Sequence, residues 1–391
     1  MNLPLGEQPV QILHKRISDD FGYTSGNLVY RLAKKADDEQ LRSMLRENEM
    51  DSWVQMTLER EPSYFAGDFL LGQDVAVLAT TAQAPHQPVG MFAYGLRPLY
   101  VNGQPLTLGY VGQLRVHPAS RNRIQVLKRG YQALWQLTRN IEPPYSFTSI
   151  ASENSAALRL LNANLNGMPI YTPQGQYLTL AIAISQTPHS NSAVAMHPAC
   201  KADVPELVDF HNRQASRWQF APALSQQWLL SLDPRKGLAI EDFLLLRRHG
   251  EICACLAVWD QRAMKQTVAR GYRFPINLLR RPHNLLARIS RRIELPAVGR
   301  QLEQAYLAFA AFGRLSETET MACICHGLEL AKNKNAKAAV IGLSTRNPLT
   351  EKLQRHFKAV SYRSEIETVS WPQNHLPSID GRPVQPEVAL L

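Results

Sequence analysis

At 391 residues the chain exceeds the roughly 250–300 at which one hydrophobic core stops growing, so two domains are expected. A 45% hydrophobic share with only 19% charged residues excludes an intrinsically disordered chain, and no window approaches 18 uncharged apolar residues, which excludes a membrane-spanning helix. The net charge of +10 suits an anionic partner, whether a phosphate-bearing cofactor, nucleic acid or a membrane surface, and does not choose among them.

After an N-terminal extension (1–27), LVYRLA (28–33) reads as a strand. A helix follows, with Asp37 as its cap, Gln40 completing a capping box, and Leu41, Met44 and Leu45 on one apolar face. VAVLAT from Val75, VGMFAYGL from Val89 and LTLGYVGQLRV from Leu106 are strand-like runs separated by Ala84-Pro85 and Asn102-Gly103, the latter a type I′ hairpin signal. A helix is predicted over 122–140, where Ile124, Leu127, Tyr131, Leu134 and Trp135 recur at helical spacing. FTSIAS (147–152) is a buried strand that runs into a helix opening at 153–158.

SQTPHSNS (185–192) is a polar linker, after which the pattern starts again. AVAM (193–196) reads as a strand, Asp203 and Glu206 as a capping box, and Leu207, Val208 and Phe210 as an apolar helix face. AAVIGLS (338–344) then runs into a helix at Asn347, as FTSIAS does at Asn154. The capping aspartates lie 166 residues apart and the asparagines 193, so the second copy is about 27 residues longer. The excess is assigned to 277–303, which has no counterpart in the first half. This ordering predicts an α/β (α+β) protein of two tandem domains, 28–184 and 193–371, each a mixed, mostly antiparallel sheet flanked by helices. The proline-containing tail, 372–391, is expected to be extended or loosely held.

The first sixteen residues lack the basic start and apolar run of a signal peptide, and the five cysteines all fall in the second half, an odd set that argues against a disulfide framework. A cytoplasmic protein with reduced thiols is expected. Cys253, Cys255, Cys323 and Cys325 are read as apolar core rather than a four-thiolate zinc site: positions two apart, as in Cys253 and Cys255, share a face on a strand, but on a helix, as expected for Cys323 and Cys325, they diverge; no metal is expected. The insertion sets Arg280, Arg281, Arg288, Arg291 and Arg292 among Leu278, Leu279, Leu285, Leu286 and Ile289. Such a stretch could lie on a membrane surface or touch nucleic acid, but no nucleic-acid motif accompanies it. The reading taken is a solvated helix packed across the domain interface.

The run Leu114-Arg115-Val116-His117-Pro118-Ala119-Ser120-Arg121-Asn122-Arg123 resembles the acyl-CoA loop of the GNAT superfamily: a strand ending in Val-x-Pro, two residues, then Arg opening a helix. Asn154-Ser155-Ala156-Ala157-Leu158-Arg159-Leu160-Leu161 is similar to the superfamily's second motif, Asn-x-x-Ala-x-x-Leu. The resemblance covers about 28–184 and recurs more faintly over 193–371, where Asn347, Leu353 and Phe357 sit in the second motif's positions. It implies that the edge formed by Leu114, Arg115 and Val116 takes the pantetheine amides, that Arg121, Asn122, Arg123 and Ile124 face the pyrophosphate, and that Asn154 sits near the thioester. A helix N-terminus, with its unpaired N–H groups and positive dipole end, suits an anion there.

The loop departs from the resemblance by lacking glycine, and the positions of the usual acid and base fall on Leu161 and on Gly112 or Gln113. Tyr110 and Glu153 are taken as the catalytic candidates. The implied activity is an acyl-CoA-dependent N-acyltransferase, with acetyl-CoA or another acyl-CoA as donor and a small-molecule or protein amine as acceptor. The alternative is a non-catalytic acyl-CoA-binding or interaction protein. In the second copy, Glu317 and Glu319 stand where a pyrophosphate would lie, so the chemistry is assigned to the first.

Overall fold

The computed structural model describes residues 21–50, 53–67, 71–120, 124–163, 165–186, 194–374 and 378–391. The first half runs β1 (Gly22–Ser25), β2 (Leu28–Leu32), α1 (Asp38–Arg46), β3 (Val54–Glu59), β4 (Gln73–Thr81), β5 (Ala84–Val101), β6 (Gln104–Val116), α2 (Ile124–Thr138), β7 (Tyr145–Ala151), α3 (Ser155–Leu161) and β8 (Ile170–Ala183). The second runs β9 (His197–Pro198), α4 (Val204–Ala215), α5 (Gln226–Leu230), β10 (Phe243–Arg248), β11 (Glu251–Trp259), β12 (Gln266–Tyr272), α6 (Ile276–Ile289), β13 (Gln304–Phe312), α7 (Glu317–Asn333), β14 (Ala338–Ser344), α8 (Pro348–His356) and β15 (Val360–Ser370).

Local chemistry accounts for most of these elements. Asn102 and Gly103 both adopt positive φ, 52° and 78°, as the turn joining β5 to β6 requires. The entry to α1 differs from the predicted box. Asp37 does not cap forward; its carboxylate accepts from the Lys34 N–H (2.7 Å) and pairs with Arg31 (2.6 Å), closing a 3₁₀ turn ahead of the helix. Asp203 repeats the arrangement with the Cys200 N–H (2.8 Å) and Arg247 (2.6 Å). The expected strand at AVAM is not formed by its described residues, 194–196. Pairing begins only at β9, where Pro198 has no N–H to extend a ladder, while Val194 and Met196 pack into the core beside α7.

Among the described residues, thirteen strands form one sheet in the order β1-β2-β4-β5-β6-β7-β15-β8-β14-β13-β11-β10-β9, and β3 pairs with β12 in a second. The sheet is mostly antiparallel, with parallel contacts only between β6 and β7 and between β13 and β14. At its centre the halves exchange strands. The last strand of the second half, β15, lies between β7 and β8, paired along its length with β8 (Val360 opposite Ala181 through Ser370 opposite Ile170) and with β7. In turn β8 supplies the neighbour of β14, from Ala338 opposite Ala183 to Ser344 opposite Tyr177. Helices α2 and α3 cover one face of the first half over a core containing Tyr30, Phe92, Tyr131 and Leu134, and α1 covers the other through Leu41, Met44 and Leu45. The faces of the second half carry α7 with α8, and α4 with α5.

Three expectations need correction. The tail after Trp371 is extended but firmly held: Val384, Ala389 and Leu390 are buried, and Tyr177 donates to the Pro386 carbonyl (2.6 Å). Cys253 and Cys255 do not share a face, because a bulge opposite Leu246 and Arg247 inserts Cys253 as an extra residue. Finally, α6 does not bury its leucines across an interface. Its inward side is made by Ala287 and by Asn284, which exchanges hydrogen bonds with the Leu295 backbone (2.8 and 2.9 Å), while Leu278, Leu279, Leu285, Leu286 and Ile289 are all more than half exposed.

Candidate active site

Both parallel pairs separate after a few residues. Strand β6 touches β7 only at Gly109 opposite Ser146 and Tyr110 opposite Phe147, although it continues to Val116 and β7 to Ala151. Strand β13 touches β14 from Gln304 opposite Ala338 to Tyr306 opposite Val340, although β13 continues to Phe312 and β14 to Ser344. The splay coincides with a bulge at the same place in each half. Gln113 (φ 51°) is the extra residue of β6 opposite β5, and Phe309 (φ 52°) that of β13 opposite β11. Each half thus opens a V whose two inner strand edges carry backbone groups with no ladder partner.

The second V is filled by the protein's own tail. The Phe309 N–H donates to Glu387 Oε2 (2.7 Å), the Ser344 N–H to Gln385 Oε1 (3.0 Å), and Gln385 Nε2 donates to the Gly342 carbonyl (2.8 Å). The helix start beyond it is also occupied: Ser316 caps α7, and Glu319 returns its carboxylate to the Ser316 N–H (2.8 Å). In the first V, Thr148 Oγ1 donates across to the Val111 carbonyl (2.8 Å) and Arg115 donates to the Leu114 carbonyl (3.0 Å), while Gln385 and Glu387 of the tail are engaged with the second half.

The candidate residues named from sequence distribute around this first opening. Leu114, Arg115 and Val116 form the splayed end of β6, and Ile124 opens α2 with 40% of its surface exposed. Arg121, Asn122 and Arg123 lie outside the described residues. Asn154 caps α3, its Oδ1 accepting from the Ala157 N–H (3.1 Å). Tyr110 sits at the closed end, its ring 5.0 Å from that of Phe147 and under the Arg97 guanidinium at 5.1 Å. Burial pushes its hydroxyl up to about 12, so it is a proton donor near neutrality and not a base. Glu153 is exposed in the turn beyond β7, six positions past Phe147. At ~3.3 Å per residue that is about 15–20 Å from Tyr110, so the structure does not bring the two candidates to one reacting atom.

The amino-acid sequence matches no protein-family model and no curated protein. Among solved structures, the chain superposes on Saccharomyces cerevisiae N-myristoyltransferase with bound myristoyl-CoA at a TM-score of 0.59, with 10% identity over 97% of this chain and 92% of that one. A GCN5-related N-acetyltransferase from Sphaerobacter thermophilus gives a TM-score of 0.55, with 12% identity over 92% of this chain and 99% of the other. The chain shares the fold of these two transferases.

Within this fold lies a polar group that no sequence pattern marks. Buried Arg97 pairs with Asp74 (3.0 Å) and stands over Tyr110. Lys265, in the turn before β12, lies 5.7 Å from the centre of the Tyr306 ring, and its Nζ donates to the Leu391 carbonyl (2.6 Å). Burial, reinforced by repulsion from Arg60 and Arg97 and opposed by Asp74 and Glu387, brings its ammonium down to about 7. Burial raises Glu387 to about 7, against hydrogen bonds from the Phe309 and Ala389 amides and the charge of Lys265. Tyr110 and Lys265 share Arg60, Arg97 and Asp74 as charged neighbours although they belong to different halves. Only the fold assembles them; neither a motif nor a spacing marks Lys265 or Glu387.

Proposed function

We propose that the protein is an acyl-CoA-dependent N-acyltransferase whose first half holds the cofactor. The observation that carries this reading is the contrast between the two openings. A splayed strand pair whose edges present backbone amides suits the amides of a pantetheine arm, and the second V is already satisfied by Gln385 and Glu387 of the tail. In this reading Leu114, Arg115 and Val116 take the pantetheine, Arg121, Asn122, Arg123 and Ile124 lie at the pyrophosphate, and Glu153 and Asn154 stand at the rim, which moves Asn154 away from the thioester end that the resemblance implied for it. The thioester then lies toward the closed end, near Tyr110.

The chemistry follows from the polar group there. Lys265, close to half neutral at pH 7, accepts a proton from the acceptor ammonium. The free amine attacks the thioester carbon and the C–S bond breaks; Tyr110 protonates the departing thiolate and regains a proton from the attacking nitrogen, which ends as the neutral amide. Arg97 offers positive charge to the carbonyl oxygen as it becomes anionic. The yeast neighbour was solved with myristoyl-CoA and the other is named an N-acetyltransferase, so acyl length is part of the test. A cytoplasmic location belongs to the same reading and rests on five free cysteines; no helix among the described residues is long and apolar enough to cross a membrane.

The test is titration with acetyl-CoA and with a long-chain acyl-CoA, followed by thiol release with a panel of amines. Binding with release is expected. Binding without release would instead support a non-catalytic acyl-CoA-binding protein, a reading favoured by buried Leu161 in the usual position of the acid; absence of binding removes both. Arg121→Ala with Arg123→Ala is expected to weaken CoA affinity roughly tenfold or more. Lys265→Met is expected to lower turnover by about 10²–10⁴ with cofactor affinity unchanged.

A further inference from the structure

We infer that α6 and its flanks form a membrane-surface device that seats the protein on an anionic lipid bilayer. At 100° per residue, Leu278, Leu279, Pro282, Leu285, Leu286 and Ile289 fall within an arc of about 120°. The five large aliphatic side chains in that arc are 53–77% exposed. The helix is held in this orientation by its opposite side, where Ala287 is buried and Asn284 exchanges two hydrogen bonds with Leu295, so the apolar stripe is turned outward by the fold. Two aromatic residues extend it. Phe274, 80% exposed, precedes the helix, and Trp53, 63% exposed, is attached beside it through its carbonyl, which accepts from the Arg273 N–H (3.1 Å).

The charge around the stripe selects the partner. Residues 276–293 contain five arginines and no aspartate or glutamate. Arg281 and Arg288 border the stripe, and Arg291 and Arg292 follow in the exposed turn that ends the helix. Arg288 is neutralised by Glu294 (3.0 Å), leaving Arg281, Arg291 and Arg292 exposed for lipid phosphates. An outward aliphatic stripe bordered by arginine, with Trp and Phe beside it, is the composition of a helix that lies in the plane of a bilayer interface. A soluble protein partner would have to bury the same arginines against compensating acids, whereas anionic headgroups provide that charge over the whole surface.

The experiment is cosedimentation of the full chain with phosphatidylcholine vesicles prepared with and without phosphatidylglycerol. Binding to the mixed vesicles is expected, weaker to phosphatidylcholine alone and weaker as salt is raised. Arg281→Gln, Arg291→Gln and Arg292→Gln together are expected to weaken binding to the mixed vesicles on the order of 100-fold. Leu285→Ser with Leu286→Ser is expected to do so to a similar extent, on the order of 100-fold. Because these side chains are exposed, circular dichroism and thermal melting of the variants should match the parent. No binding of the parent to mixed vesicles at low salt overturns the inference, as does undiminished binding of the leucine variant. Self-association without lipid that the leucine variant abolishes would give the face to a second copy and overturn it too.

Discussion

The two V-shaped openings are built alike and finished differently. In each, a parallel pair makes its last contact three residues ahead of a bulge residue with positive φ, Gln113 in one half and Phe309 in the other, leaving backbone groups on two inner edges without a ladder partner. The second half finds them within the chain: Glu387 takes the Phe309 amide, and Gln385 takes both the Ser344 amide and the Gly342 carbonyl. A side-chain amide can therefore stand in for a missing strand, and so can a ligand amide. The same backbone geometry makes core where the tail is laid into it and, in the proposed function, a cofactor cleft in the first half.

The largest effect expected from breaking this arrangement concerns the exchanged strands. Because β15 stands between β7 and β8, and β8 between β15 and β14, each half alone leaves its own last strand without a partner on either edge. Residues 21–186 and 194–391 expressed separately are expected to aggregate, and together to associate into one folded species. Circular dichroism and size-exclusion chromatography of the separate and coexpressed halves would show it. A half that folds alone would mean that the two openings are independent after all.

The next effect is at the tail. Glu387→Ala leaves the Phe309 amide buried without its acceptor and removes the charge facing Lys265, which is expected to cost about 3 kcal/mol by denaturant melt. The pair also sets a pH dependence. Glu387 is raised from 4.5 to about 7, so its contribution is full below about pH 4.5 and is lost as pH rises through 7. Lys265 is lowered from 10.5 to about 7, so its contribution is present above about pH 10.5 and is lost as pH falls toward 7. Stability attributable to the two is lowest near neutrality. Glu387→Gln is expected to abolish the acid-side decline and Lys265→Met the alkaline recovery, each read as melting temperature against pH. Profiles parallel to the parent's would contradict the burial of these groups.

Much of the first half was legible in its residues because its signals are local. Asn102-Gly103 specifies a hairpin, the alternation around it specifies β4 to β6, and the spacing from Ile124 specifies α2. What could not be read depended on partners distant in sequence. Strands β3 and β12 are short, form a two-stranded sheet of their own and lie more than 200 residues apart. Val194 and Met196 are apolar enough for a strand but are used as packing beneath α7. The tail's prolines suggested loose chain, whereas its buried side chains and the amides of Gln385 and Glu387 fix it in the second opening. The candidate site divides in the same way: β6, α2 and Asn154 follow a recognisable spacing, while Arg97, Lys265 and Glu387 meet only through the fold.

The smallest effect separates the halves most sharply, because it makes the same substitution at equivalent positions. Asn154 caps α3 through the Ala157 amide, and Asn347 caps α8 through the Leu349 amide (3.0 Å) while donating to Gln385 Oε1 (3.2 Å). Removing either cap is expected to cost about 1 kcal/mol, with Asn347→Ala slightly the worse because it also loosens the residue that fills the second opening. Their effects on cofactor should not match. Asn154 stands at the rim of the first opening, so Asn154→Ala is expected to weaken acyl-CoA binding several-fold, whereas Asn347→Ala, behind the tail, should leave it unchanged. Calorimetric titration of both variants decides the matter. If Asn347→Ala were the one to lose affinity, the cofactor would belong to the second half, and the tail would have to leave its place between β13 and β14 to admit it.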